Sequence, residues 1–191
     1  MNLGPILGAA LEAQLVCAQL RLPVCVIGGI ALQRWGEPRF TSDADLCVMV
    51  EAGDEPRVIQ ALFSRFAARL AGGEEFALRA RVLLARATNG VNLDIVLAGL
   101  PYEARMLDRS SLWELTEADC LRTCSAEDLI VMKTFAGRDK DWADITSVLE
   151  RQGPKLNLPL VRSELSPLLE AKEAPELAVE LERRIQKIRW S

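Results

Sequence analysis

The chain contains no histidine. That absence excludes Ser-His and Cys-His nucleophilic pairs, HExxH zinc sites and any imidazole general base. Whatever chemistry the protein performs runs on carboxylates, lysine, arginine, hydroxyls, thiols or backbone. Neither GxxxxGK[ST] nor GxGxxG occurs, so the P-loop and the dinucleotide-binding fingerprint are excluded as well. The five cysteines form no CxxC pair, and Cys25 and Cys47 lie inside apolar runs, where a thiol serves as a small hydrophobe. A reducing, cytoplasmic setting is expected. The run from Leu22 to Gln33 is too short to cross a bilayer and carries Gly28-Gly29. No basic residue precedes the first apolar stretch and Glu12 interrupts it, so neither a signal peptide nor a membrane role is expected.

What is present is the balance of a soluble globular chain: 191 residues, 50% hydrophobic and 26% charged. Its 23 basic and 27 acidic side chains leave a net charge of −4, which argues against a generally basic nucleic-acid coat.

Residues 5–21 read as a helix with Leu7, Leu11, Leu15 and Ala18 along one stripe, closed by Pro23. "PVCVIGG" is a short buried strand running into two glycines and then a helix to about Trp35. Residues 39–50 alternate as a strand, and 55–71 look helical. "LRARVLLARATNGVNLDIVLA" reads as two strands joined by Asn89-Gly90, and a further strand is expected near Cys120 to Cys124. From Ser125, whose spacing to Asp128 resembles a capping box, the pattern is helical to the end. The last helix carries Leu177, Leu181, Ile185 and Ile188 on one face and Arg183, Arg184, Lys187 and Arg189 at its basic end. The fold class expected is α+β, with an α+β domain over residues 1–115 and a helical domain over residues 116–191.

Strand parity makes the candidate site. In the strand of residues 39–50, Phe40, Ser42, Ala44, Leu46, Val48 and Val50 share the core-facing set, so Asp43 and Asp45 project together from the other face. Their backbones are about 6–7 Å apart on the strand rise. Two carboxylates so placed can converge on one divalent cation or bridge two. In "VNLDIVLA" the apolar set leaves Asn92 and Asp94 on one face, adding a third carboxylate. A two-residue Asn89-Gly90 turn would set Asp94 opposite Ala85 and drop Arg86 on the core side near Leu93. Gly28-Gly29 sits where a buried strand meets a helix, a place where a phosphate can approach backbone amides.

Taken in order, "VIGGIALQRWG…PRFTSDADLCV…VNLDIV" resembles the nucleotidyltransferase superfamily typified by DNA polymerase β. The signature is a Gly-Gly or Gly-Ser turn, an acidic-x-acidic pair ten to fourteen residues on, and a carboxylate on a later strand. The run Arg39-x-Thr41-x-Asp43-x-Asp45 is similar to the minimal and AbiEii toxin-like branch, and "EDLIVMKTFAGRDKDWADI" looks like that branch's helical motif. In it stand Lys133, Arg138, Lys140, Asp141 and Asp144. Ala44 departs from the pattern, which usually has a larger aliphatic there.

The resemblance implies an α+β nucleotidyltransferase domain with a small mixed or antiparallel sheet, followed by a helical domain. It implies an NTP donor and two Mg²⁺ ions, for which Mn²⁺ can substitute, held by Asp43, Asp45 and Asp94 as the catalytic carboxylates. Gly28, Gly29, Arg39, Thr41 and Lys133 would bind the nucleotide, with Lys133 neutralising phosphate charge. Asp141 and Asp144 are expected to pair with Arg138 or Lys140, and Trp142 to sit in the core. The acceptor is left open among an RNA such as tRNA, a protein hydroxyl and a small molecule, and the toxin-like branch implies an antitoxin partner. Two alternatives accompany this reading. One is a non-catalytic nucleotide- or partner-binding module on the same fold. The other is an aminoglycoside-type adenylyltransferase, with Glu164, Glu170, Glu173 and Glu176 forming an acidic pocket.

Overall fold

The structure, a computed structural model, describes residues 3–188; Arg189 lies outside the described residues. The chain divides into two compact units, one formed by the residues through Ala31 with Phe40–Cys124, the other by Leu32–Arg39 with the residues from Ser125 on. The expected boundary at residue 115 falls between the last two strands of the first unit, which pair with each other.

In chain order the elements are α1 (Pro5–Gln19), β1 (Val24–Val26), α2 (Gly28–Trp35), β2 (Asp43–Met49), α3 (Glu55–Phe63), β3 (Ala67–Ala68), α4 (Gly73–Ala80), β4 (Val82–Arg86), β5 (Asn92–Ala98), α5 (Pro101–Arg109), β6 (Ser111–Glu114) and β7 (Cys120–Thr123), followed by α6 (Ala126–Ala136), α7 (Asp139–Gln152), a 3₁₀ turn (Gly153–Lys155), α8 (Leu158–Lys172) and α9 (Glu176–Lys187). The class is α+β, as expected. The strands form one seven-stranded mixed sheet in the order β3-β4-β5-β2-β1-β7-β6. β2 runs parallel to β5 and β1 parallel to β7, while the other neighbours are antiparallel. Among the described residues no helix is long and apolar enough to cross a membrane.

Alternation fixes the central pair of strands. Ala44, Leu46 and Val48 of β2 and Leu93 and Ile95 of β5 are fully buried, with Leu97 at 1% exposure. Each large side chain so buried contributes about 1.5–3 kcal/mol. A one-residue slip would exchange them for the aspartates, so the register is firmly held. The alternation does not reach back to residue 39, because the strand begins only at Asp43; Phe40, expected in the core, is 86% exposed.

Three further expectations are corrected. The inward face of α1 is Ala9, Ala10, Ala13, Val16 and Cys17, while Leu15 is 54% exposed. Small side chains let this helix lie close on the sheet, with Leu7 and Leu11 partly buried against the same core. The helix read over 55–71 ends at Phe63, where Arg65 and Phe66 N–H both close on the Leu62 carbonyl and Phe66 buries its ring. The short edge strand β3 and helix α4 follow instead. The β4–β5 hairpin turns through three residues, Thr88-Asn89-Gly90: Ala87 N–H donates to Val91 O at 2.9 Å and Gly90 takes φ +85°. The extra loop residue shifts the pairing by one, so Asp94 faces Leu84, Arg86 faces Asn92, and Arg86 is exposed.

In the second unit, the Ser125 hydroxyl accepts the Asp128 N–H at 3.0 Å and caps α6. Gly137, at φ +67°, ends it. α6 is buried nearly all round and packs against α7, α8 and α9. Trp142 is 8% exposed and so belongs to the core, as expected.

Candidate active site

The glycine pair is shaped by what packs on it. Gly28 takes φ +60°, and a Cβ there would lie 2.0 Å from Asp45 Oδ2. A Cβ on Gly29 would lie 2.8 Å from Thr41 Oγ1. The Asp45 carboxylate therefore rests against the start of α2, and the Ile27 N–H donates to Asp45 O at 2.9 Å beside it. Thr41 Oγ1 donates to Asp43 O at 3.2 Å, tying the approach to β2 onto its first residue.

The parallel register supplies the third carboxylate. Asp43 lies beside Asn92 and Asp45 beside Asp94, all on the face away from the buried leucines. Asn92 Nδ2 donates to Asp43 Oδ1 at 3.0 Å, and Ser42 Oγ donates to Asp43 Oδ2 at 3.1 Å. Arg69, just past β3, brings Nη2 to 2.8 Å from Asp94 Oδ1. That buried oxygen accepts no well-directed hydrogen bond, so the contact is charge pairing more than donation. Burial pushes the Asp94 carboxyl above the usual carboxylate range; the charge of Arg69 opposes this and the negative charge of Asp43 adds to it.

These donors suit a hard divalent cation: carboxylate oxygens from adjacent strands, and a buried Asp94 oxygen without a hydrogen bond. Among the described residues, however, no three acidic or thiol side chains already stand at ligating spacing. A bound ion would have to draw Asp43 and Asp94 from Ser42, Asn92 and Arg69.

Six of the eight site residues read from the sequence, Gly28, Gly29, Thr41, Asp43, Asp45 and Asp94, belong to the sheet unit; Arg39 and Lys133 belong to the helical unit. There they share one carboxylate. Lys133 Nζ is 2.5 Å from Asp144 Oδ2 and 3.4 Å from Asp141 Oδ1. Arg39 donates to Asp144 twice, Nε to Oδ1 and Nη2 to Oδ2, both at 2.8 Å. Arg138 Nε donates to Asp141 Oδ2 at 2.6 Å. Lys133, Asp141 and Asp144 are 5%, 0% and 4% exposed. Burial pushes both carboxyls up, yet the bonds and charges of Arg138 and Lys133 on Asp141, and of Arg39 and Lys133 on Asp144, outweigh it and hold both below the usual range. Asp141 thus takes its expected partner Arg138, whereas Asp144 pairs with Lys133 and Arg39 and not with Lys140.

Arg69 and Ser42 were not read from the sequence as site residues. Arg69 was hidden because its segment reads as helix, and the two-residue strand before it is too short for any alternation to register.

The fold is nucleotidyltransferase-like. The chain is similar to a solved antigenic nucleotidyltransferase-like protein from Paracoccidioides brasiliensis, at 19% identity over 92% of this chain and 91% of that one, with a TM-score of 0.50. It is likewise similar to ANT(2")-Ia, solved in complex with adenylyl-2"-tobramycin, at 15% identity over 84% of this chain and 95% of that one, with a TM-score of 0.51. At such identities the likeness speaks for the fold. No curated protein sequence matches the chain. Residues 9–188 match the family model described as nucleotidyl transferase AbiEii toxin, type IV TA system, and the chain belongs to that family. Family and fold together support nucleotidyl transfer as the general activity.

Proposed function

We propose that the protein moves a nucleoside monophosphate from an NTP to a hydroxyl acceptor, with Asp43, Asp45 and Asp94 as the catalytic carboxylates. The observation that carries this reading is the register that sets Asp94 beside Asp45, with Asp45 itself against a glycine that has no room for a Cβ. Mg²⁺, two ions in this reading and replaceable by Mn²⁺, would when bound offset triphosphate charge and acidify the acceptor hydroxyl. Asp43 and Asp45 would hold the ions that carry the donor phosphates. Asp94 would hold an ion beside them and help take the acceptor's proton. Gly28 and Gly29 offer backbone amides at the start of α2 to the β- and γ-phosphates.

Arg39, Thr41 and Lys133 serve the nucleotide in the same proposal. The Thr41 hydroxyl already lies against Gly29. The Arg39 side chain is 36% exposed, and Lys133 braces the Asp144 that grips Arg39. The family description supports a toxin role with an antitoxin as partner; the acceptor in this proposal is an RNA such as tRNA, a protein hydroxyl or a small molecule.

A second reading, adenylylation of a cationic small molecule, is favoured by one feature. A cavity of about 480 Å³ between α8 and α9 is floored by Leu165, Leu169 and Leu181 and rimmed by Glu170, Glu173 and the Arg162–Glu182 ion pair. Of the glutamates expected there, Glu164 is instead buried at 6% exposure. Incubation with α-³²P-labelled NTPs, Mg²⁺ and either cell extract or purified aminoglycosides tests both readings. Label is expected on a macromolecule in the extract, and Asp45→Asn abolishes it. Equal labelling by Asp45→Asn overturns the mechanism, and label on aminoglycoside alone selects the second reading.

A further inference from the structure

We propose that Arg69 is a positioning residue of the cation site: the counter-charge that Asp94 holds in the absence of a divalent ion and exchanges when one binds. This rests on the reading above in which Asp94 is a metal ligand.

The argument begins with how Arg69 is placed. Its N–H donates to the Leu84 carbonyl at 3.0 Å, which continues the β3–β4 ladder by one residue and fixes the backbone at the sheet edge. Leu84 is the register partner of Asp94, and Asp94 of Asp45. Arg69, Leu84, Asp94 and Asp45 therefore form one row across four neighbouring strand positions. An arginine side chain is long enough to reach from the edge over one strand to the next, and here it does, with Nη2 2.8 Å from Asp94 Oδ1. The side chain is only 18% exposed, so the reach is a packed arrangement and not a solvated tail.

The quality of the contact is as informative as its place. Arginine matched to a carboxylate normally makes two parallel, well-aimed bonds, as Arg39 does on Asp144 at 2.8 Å each. On Asp94 the guanidinium supplies charge at close range, while the buried oxygen accepts no directed hydrogen bond. A cation held by charge and not by direction is the kind a harder, more compact cation displaces. With Arg69 absent, Asp94 would face the negative Asp43 without the charge that now opposes it. Arg69 thus keeps two like charges together, at the expense of competing with an ion.

Titrating Mn²⁺ into the full-length chain without nucleotide, with free Mn²⁺ read by electron paramagnetic resonance, tests this. The variants are Arg69→Met and Arg69→Gln, which remove the charge, and Arg69→Lys, which keeps it; circular dichroism reports folding. Both neutral variants are expected to bind Mn²⁺ roughly two- to fivefold more tightly, since a competing charge has gone. Arg69→Lys is expected to return the affinity toward that of the unaltered chain. A merely structural role would loosen Mn²⁺ binding or leave it unchanged, and either result in a folded neutral variant overturns the proposal. Mn²⁺ binding that is unchanged by Arg69→Met but lost in Asp45→Asn overturns this inference and leaves the catalytic reading standing. Absence of Mn²⁺ binding by every form overturns both.

Discussion

Gly28 and Asp45 are in contact closely enough that a single methyl group cannot be inserted between them: the added Cβ would lie 2.0 Å from Asp45 Oδ2. Gly28→Ala therefore combines two penalties, the cost of φ +60° for a non-glycine residue and displacement of a proposed metal ligand. Gly53→Ala is the control, because Gly53 has φ +90° but open space around it. Urea denaturation should show Gly53→Ala losing about 1–2 kcal/mol and Gly28→Ala losing more. Only Gly28→Ala should also lose transferase activity, by about a hundredfold.

The Asp144 cluster yields a ranked stability series. Asp144→Ala removes the shared partner of a buried Lys133 and a half-buried Arg39 and should cost about 3–5 kcal/mol. Lys133→Met leaves each carboxylate one arginine and should cost less, and Arg39→Ala, at a partly exposed position, least of all. Equilibrium denaturation by urea gives the order directly.

Acid should act through the same carboxylates. Asp141 and Asp144 hold folded-state values below the ordinary carboxylate range, so their stabilising contribution is complete above about pH 4. It is lost as pH falls further, through the depressed folded values. A urea midpoint measured from pH 6 down to pH 2 should fall steeply in the acid limb. Asp144→Asn should start from a lower midpoint and show a shallower fall.

Thiol reactivity should separate one cysteine from four. Cys17, Cys25, Cys47 and Cys124 are buried and Cys120 is only partly so. Burial pushes Cys17 up to about 12 and Cys47 higher still, so neither is a thiolate near neutrality. A disulfide reagent at pH 8 should modify Cys120 first in the native protein and reach the other four only on unfolding.

Much of this was legible in the sequence where a pattern repeats often enough to be read. β2 and β5 alternate except at the buried Cys47 and Ala98, so parity places Asp43, Asp45 and Asp94 away from the buried leucines, while only the strand pairing sets Asp94 beside Asp45. The hairpin was legible, but its register was not: Asn89-Gly90 fits two- and three-residue loops alike, and only backbone pairing selects the longer one. The inward face of α1 was misread because large leucines outweigh alanines in any hydrophobic count, whereas close packing on a sheet favours the alanines. Lys133 was visible as a motif residue, yet its burial between Asp141 and Asp144 depends on the turn from α6 into α7 at Gly137. Arg69 gave no signal, since its contact with Asp94 crosses a strand contributed by a later part of the chain.

Anomalous diffraction from crystals soaked with Mn²⁺ and a non-hydrolysable NTP tests the convergence of the three carboxylates most directly. The account predicts Mn²⁺ density about 2.0–2.3 Å from oxygens of Asp43 and Asp45, with Asp94 ligating an ion in the same site and the triphosphate against Gly28-Gly29. Nucleotide density elsewhere, or Mn²⁺ density that none of the three aspartates touches, would contradict it.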